Sequence, residues 1–234
     1  MSTFLAELLG TATLILLGDG VVAGVALNKS KAKDGGWIVV TMAWAVAVAT
    51  AAWIFGPISG AHLNPALTIA LAAIGKFAWS EVPAYIAAQF IGALVGAALV
   101  WLAYYAHWKE TEDKATKLGV FCTAPAIRNV GANLITEIIG TFMLVFGILG
   151  LGETKMADGL GTFAVGLLIL IIGLSLGGPT GYAINPARDL GPRIAHAILP
   201  IAGKGDSDWG YAWIPVVGPI IGGLLGGLLY TIIF

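Results

Sequence analysis

The chain has 234 residues, of which 58% are hydrophobic and only 11% charged, with a formal net charge of −1. A water-soluble domain is usually about 25% charged and 45–50% apolar, so this composition excludes a soluble enzyme, and the near-zero net charge gives no electrostatic ground for a nucleic-acid partner. A single cysteine, Cys122, excludes an internal disulfide framework and a cysteine metal cluster.

A hydrocarbon core about 30 Å thick is crossed by about 20 apolar residues in a helix. The first such run, residues 4–27, starts without a basic segment or cleavage signal and reads as a retained span. A short connection bearing Lys29, Lys31 and Lys33 leads to a second span, 37–55. The next apolar stretch, 58–74, is interrupted near its start by Gly60, His62, Asn64 and Pro65. About ten helix-compatible residues remain there, or ~15 Å at 1.5 Å per residue, enough for half a bilayer. A third full span covers 82–107, and the polar stretch 108–133 divides the chain. Beyond it come spans 134–151 and 160–176, a second interrupted stretch at 180–199, and a last span at 211–234. None of these runs alternates as a membrane β-barrel strand does. The expected fold is an all-α integral membrane protein, a single transmembrane domain over residues 1–234 with six transmembrane helices and two re-entrant half-helices.

The two halves repeat. Ala6-Glu7-Leu8-Leu9-Gly10-Thr11 returns as Thr136-Glu137-Ile138-Ile139-Gly140-Thr141, and Gly60-Ala61-His62-Leu63-Asn64-Pro65-Ala66 returns as Gly181-Tyr182-Ala183-Ile184-Asn185-Pro186-Ala187. Three spans per half is an odd number, so the expectation is an inverted repeat of residues 1–107 and 133–234, linked by 108–132. The half-spans then enter from opposite faces and meet near the midplane. Irregular backbone at that depth is tolerated only when it is buried in protein or lines a wet cavity, which points to a central pathway. Asn is a strong helix N-cap and Pro is favoured at the first helical position. Asn64 and Asn185 are therefore each expected to start a short helix whose positive end faces the same central region.

With both Asn-Pro-Ala boxes, both Glu-x-x-Gly-Thr segments and the Asn-Pro-Ala-Arg-Asp string ending at Asp189, the chain resembles the aquaporin (major intrinsic protein) family, and within it the glycerol facilitator, or aquaglyceroporin, branch. The resemblance implies a homotetramer in the cell membrane, with one pore per subunit and cytoplasmic termini. It implies passive passage of glycerol, other small neutral solutes and water through the lipid bilayer, with ions and protons excluded and no cofactor. The boxes Asn64, Pro65, Ala66 and Asn185, Pro186, Ala187 would then line the pore, with both Asn amides donating to passing oxygens. Carbonyls of Gly60, Ala61, His62 and Leu63, and of Gly181, Tyr182 and Ala183, would form a ladder of acceptors. In the family Glu7 and Glu137 hold the backbone of these segments; protonated glutamates packed at helix contacts are the alternative.

Matching the family's constriction by distance from the boxes brings in Trp44, Gly173, Tyr182 and Arg188. Arg188 lies three residues after Asn185, near one face of the same helix, and as a fork of five donors it can bind substrate oxygens. Alone, Trp44 reads equally as an interfacial aromatic and Gly173 as a helix-packing glycine. With the family match, Gly173 leaves room where water-selective relatives place a bulkier side chain, and Asp189 matches the facilitator branch. Tyr182 departs from the Phe common in facilitators, which would shift the substrate spectrum. Asp19, a costly carboxylate inside the first span, reads as a subunit contact, a wet vestibule or a neutral buried acid. His62 belongs to the first box, whereas His107 and His196 read as interfacial and structural residues, without the spacing of a metal site. Gly92 and Gly96, like Gly218, Gly222 and Gly226, recur at the four-residue spacing of close helix contacts.

Cytoplasmic termini would put most of the lysines outside, against the positive-inside rule. The family orientation is kept because inverted-repeat pores take their topology from packing. Three other readings compete: a water-selective or broad small-solute channel for lactic acid, urea or peroxide; an ion-coupled secondary transporter; and a membrane-junction scaffold, which would call for long polar tails.

Overall fold

The computed structural model describes all residues, 1–234, as nine α-helices and one 3-10 turn, without a strand. Helix α1 (Thr3–Ala26) starts where the Ser2 hydroxyl accepts the Leu5 N–H. Helix α2 (Trp37–Ser59) runs through Pro57 and ends at Gly60, whose φ of +81° is the left-handed stop that glycine alone takes cheaply. Then follow α3 (Pro65–Ala73), α4 (Val82–Ala103), α5 (Lys114–Phe121), α6 (Val130–Gly152), α7 (Leu160–Leu176), α8 (Pro186–Ile198) and α9 (Ile214–Ile233). Helices α1, α2, α4, α6 and α9, of 20 to 24 residues, are long and apolar enough to cross a bilayer. Helix α7 is apolar with 17 residues, about 25 Å long and at the short end of the spanning range.

Several boundaries differ from the sequence expectation. The third span ends at Ala103, and Tyr105–His107 forms the 3-10 turn. The last helix starts at Ile214, with Pro215 in its first turn. The polar connection 108–133 is not a plain loop: it holds α5, capped by Asp113, which accepts from the Ala115 and Thr116 N–H groups. That cap and the three-residue spacing of buried Leu118 and Phe121 are this helix's sequence signals, masked by the charged residues around them. Half-helix α8 has 13 residues, longer than expected, because Gly191 and Pro192 lie within the helix instead of ending it.

The two halves pack alike. A Cβ added at Gly92 would fall 2.2 Å from the Leu8 carbonyl oxygen, and one at Gly222 would fall 2.2 Å from that of Ile138. One turn further, Gly96 meets Ala12 O and Gly226 meets Phe142 O, each at 2.6 Å. Backbone therefore touches backbone where α4 crosses α1 and where α9 crosses α6. Apolar residues such as Ile38, Val46, Ile54, Leu102, Ile135 and Ile171 are exposed on the outside, whereas Glu7, Gln89, Glu137, Asp189 and Arg193 are buried. That distribution suits a lipid surround and gathers the polar groups about the two half-helices.

Candidate functional site

Two backbone straps, residues 60–64 and 181–185, precede the half-helices. Ala61 and Leu63 in the first have φ of +48° and +50°, and Tyr182 and Ile184 in the second have +39° and +43°. Each such residue costs roughly 1–2 kcal/mol, so something must hold the straps. In the first, Glu7 Oε1 accepts from Ser59 Oγ at 2.7 Å and the His62 N–H at 2.9 Å, while Oε2 accepts from the Leu63 N–H and Gln89 Nε2, both at 2.8 Å. In the second, Glu137 Oε1 accepts from Thr180 Oγ1 at 2.6 Å and the Ala183 N–H at 3.1 Å, and Oε2 from the Ile184 N–H at 2.9 Å. The backbone N–H groups and the Gln89 amide are donors and the two hydroxyls can donate as well, an arrangement that suits an acceptor-only carboxylate. Ser59 and Thr180, five residues before each box asparagine, are braces that the sequence reading missed; a hydroxyl repeated at matching positions was the available signal.

With the N–H groups of His62, Leu63, Ala183 and Ile184 turned towards the glutamates, the carbonyls of Gly60, Ala61, His62, Gly181, Tyr182 and Ala183 accept no hydrogen bond from the protein. Leu63 is different. Its carbonyl accepts from Asn185 Nδ2 at 2.8 Å, and Ile184 O accepts from Asn64 Nδ2 at 2.9 Å. Leu63 is therefore part of a lock between the two half-helices, which corrects its place in the expected ladder. The Asn oxygens cap their own helices, Asn64 at Ala66 and Asn185 at Ala187 and Arg188. One amide hydrogen of each Asn stays free.

An internal cavity of about 90 Å³ runs past both boxes. Its lining combines the aliphatic side chains of Leu14, Val48, Leu144, Ile148, Val165 and Ile169 with the straps, Asn64, Asn185 and Arg188. A second cavity of about 220 Å³ is lined by Val22, Trp37, Cys122, Thr123 and Gly181 among others. Trp44, Tyr182 and Arg188 line both cavities, so they form the partition between them. Trp44 is buried, not interfacial, and the Arg188 guanidinium lies 4.2 Å over its ring. Gly173 lines neither. A Cβ there would come within 2.8 Å of the Tyr182 ring, and its carbonyl accepts from Trp37 Nε1 at 3.0 Å. The expected extra room at Gly173 is thus filled by Tyr182 itself, whose hydroxyl has no partner in the protein.

Asp189 does not reach the partition. Its Oδ2 accepts from the Thr123 N–H and hydroxyl, each at 2.7 Å, and its Oδ1 accepts from Arg193 Nε at 2.9 Å. Arg193, fully buried and missed by the sequence reading, also donates to the carbonyls of Thr123 and Ser207. This pair ties α8 to the segment leaving α5. Asp19 lies beside Arg188, Nη1 to Oδ1 at 3.5 Å, a partner that its sequence position did not reveal. His62 Nδ1 faces Thr68 Oγ1 at 3.1 Å, and its ring packs against Phe77 and Tyr85. No group of three or more His, Cys, Asp or Glu side chains is placed to hold a metal.

Outward apolar faces, paired half-helices and a narrow path lined by both polar and aliphatic groups define a membrane protein built around a solute-sized lumen. The sequence matches the Major intrinsic protein family over residues 1–230, and the chain belongs to that family. It is 64% identical over 234 residues to a probable glycerol uptake facilitator of Thermotoga maritima, covering all of both chains. To the glycerol uptake facilitator of Bacillus subtilis it is 61% identical over 218 residues, 93% of this chain and 80% of that one. Its fold matches the X-ray structure of the aquaglyceroporin from Plasmodium falciparum with a TM-score of 0.88 at 31% identity, covering 98% of this chain and 95% of the other.

Proposed function

We propose that the chain is a passive channel for glycerol and other small uncharged solutes, with water as a co-permeant. The observation that carries this reading is the amphipathic lining of the lumen: straps with unpaired carbonyls and Arg188 together with aliphatic side chains. A polyol fits such a path, hydroxyls against the polar groups and C–H groups against the aliphatic ones. Similarity to glycerol uptake facilitators supports the same solute. Free hydrogens of the Asn64 and Asn185 amides meet the solute where the positive ends of α3 and α8 oppose cations. Gly173 shapes the partition from behind through Tyr182. No carboxylate lines either cavity, so a coupling-ion site of the kind a secondary transporter needs has no support. The same reading includes a homotetramer in the plasma membrane, an inverted repeat and cytoplasmic termini; protease access to residues 108–133 only from the cytoplasmic side would reverse the orientation.

Stopped-flow light scattering of proteoliposomes under glycerol and water gradients tests the proposal. Glycerol flux well above that of empty vesicles is expected. Water flux without glycerol flux would move the chain to the water-selective class, and saturable uptake driven by an ion gradient would make it a transporter. Within this reading Tyr182 tunes the partition through its free hydroxyl. One hydrogen bond is worth about 0.5–1.5 kcal/mol, so Tyr182→Phe should change the glycerol-to-water ratio about 2- to 10-fold. Equal permeabilities of variant and parent to water, glycerol and a three-carbon acid would refute that role.

A further inference from the structure

Asp19 is fully buried in α1, and neither of its carboxylate oxygens has a hydrogen-bond partner in the protein. Its counter-ion is Arg188, with Nη1 3.5 Å from Oδ1. The same Nη1 approaches the Phe121 carbonyl at 3.5 Å, while Nε and Nη2 have no protein acceptor. One edge of the guanidinium is thus tethered behind the partition, and the other is free for a solute. Gly18 permits the approach of α1, because a Cβ there would fall 2.4 Å from the Trp44 ring.

An unopposed guanidinium in a narrow path of low dielectric would draw small anions strongly, since Coulomb energies there are several times those in bulk water. An ionised Asp19 at this distance turns that single charge into a dipole. The neighbouring charges Asp189 and Arg193 are paired with each other at 2.9 Å and add no net charge. We propose that Asp19 is a specificity-determining residue of the constriction: it anchors one edge of Arg188 and cancels its charge, so the filter takes hydroxylated neutral solutes without attracting anions. Cation exclusion then falls to the opposed half-helix ends instead of to Arg188. The inference rests on the neutral-solute channel reading.

The test compares wild type, Asp19→Asn, Arg188→Ala and the double variant in proteoliposomes, with glycerol flux read by light scattering and iodide entry by quenching of an entrapped dye. In Asp19→Asn, iodide entry should rise about tenfold, equivalent to ~1.4 kcal/mol, while glycerol flux falls as Arg188 loses its tether. Opposite signs separate this from misfolding, which lowers both. On the Arg188→Ala background, Asp19→Asn should leave iodide entry unchanged. Asp19→Ser, with the same expected rise, serves if the Asn variant does not fold. Iodide entry at the wild-type level in either folded variant, or the same rise without Arg188, would overturn the role of Asp19 while leaving the channel standing. Wild type without glycerol flux would overturn the channel reading and this inference with it.

Discussion

Glu7→Gln changes one oxygen to NH2 at nearly constant shape, so its effect can be worked from the four donors around that carboxylate. If the amide nitrogen takes the Oε1 position, it can donate to Ser59 Oγ but faces the His62 N–H; at Oε2 it faces the Leu63 N–H, and Gln89 can turn its unpaired Oε1 towards it. Either way one buried backbone N–H is left opposite another donor. An orphaned donor of this kind costs about 1–3 kcal/mol, and a strap held at Ala61 and Leu63 in the left-handed region adds about 1–2 kcal/mol per residue of stored strain that drives relaxation. A net loss of about 2–3 kcal/mol is therefore expected, larger than the typical point-mutation effect of about 1 kcal/mol. For a chain of this size that is a fall in Tm of roughly 4–12 °C, readable by tryptophan fluorescence in detergent. Glycerol flux should fall about tenfold, the rate equivalent of ~1.4 kcal/mol, because the carbonyls move with the strap. Glu137→Gln strands Ala183 or Ile184 in the same way and should cost as much. Variants that melt and conduct like the parent would refute bracing by the carboxylates and restore the packed-glutamate reading.

Two further outcomes follow from helix contacts and caps. Gly222→Ala would put a methyl 2.2 Å from Ile138 O and 2.9 Å from the Phe142 nitrogen, both rigid backbone atoms, whereas a Cβ at Gly150 meets nothing within 4 Å. Overpacking of that kind costs about 1–3 kcal/mol, so Gly222→Ala should lower Tm and Gly150→Ala should not; equal melts would refute the close-contact reading. In α5, the Thr116 hydroxyl and then the Thr116 and Ala115 N–H groups hold the Asp113 carboxyl below its ordinary range. A depressed folded pKa means the cap is intact above the unfolded value and is lost as pH falls through the lower folded one. Exchange protection of residues 114–121, corrected for intrinsic rates, should hold from neutral pH down and fall only below about pH 4. Asp113→Asn, an equally good cap, should remove that acid loss; an unchanged pH profile in the Asn variant would refute it.

Much of the architecture can be read from the sequence because a bilayer imposes lengths. Full spans and half-spans differ by a factor that Gly, Pro and Asn positions reveal, and the paired Glu-x-x-Gly-Thr segments carry the two-fold pattern into the packing of Gly92 on Leu8 and Gly222 on Ile138. What escapes is set by tertiary distance. The role of Gly173 depends on where the Tyr182 ring lies, and the tie between Leu63 and Asn185 depends on two half-helices meeting end to end. Helix α5 escapes because its buried face is short and its polar residues dominate a hydropathy reading.

Asp19 is the sharpest case. Hydropathy marks it as a penalty in the first span, and only the position of Arg188 gives that penalty a purpose. Arg188 follows the second box in the sequence, but under the proposal its net field at the constriction depends on Asp19. A chain with both Asn-Pro-Ala boxes, the same arginine and no acid at the position of Asp19 would keep the path of this one and lose its neutrality. Motifs that locate a pore therefore leave open what the pore repels, because that depends on a side chain contributed by a different helix.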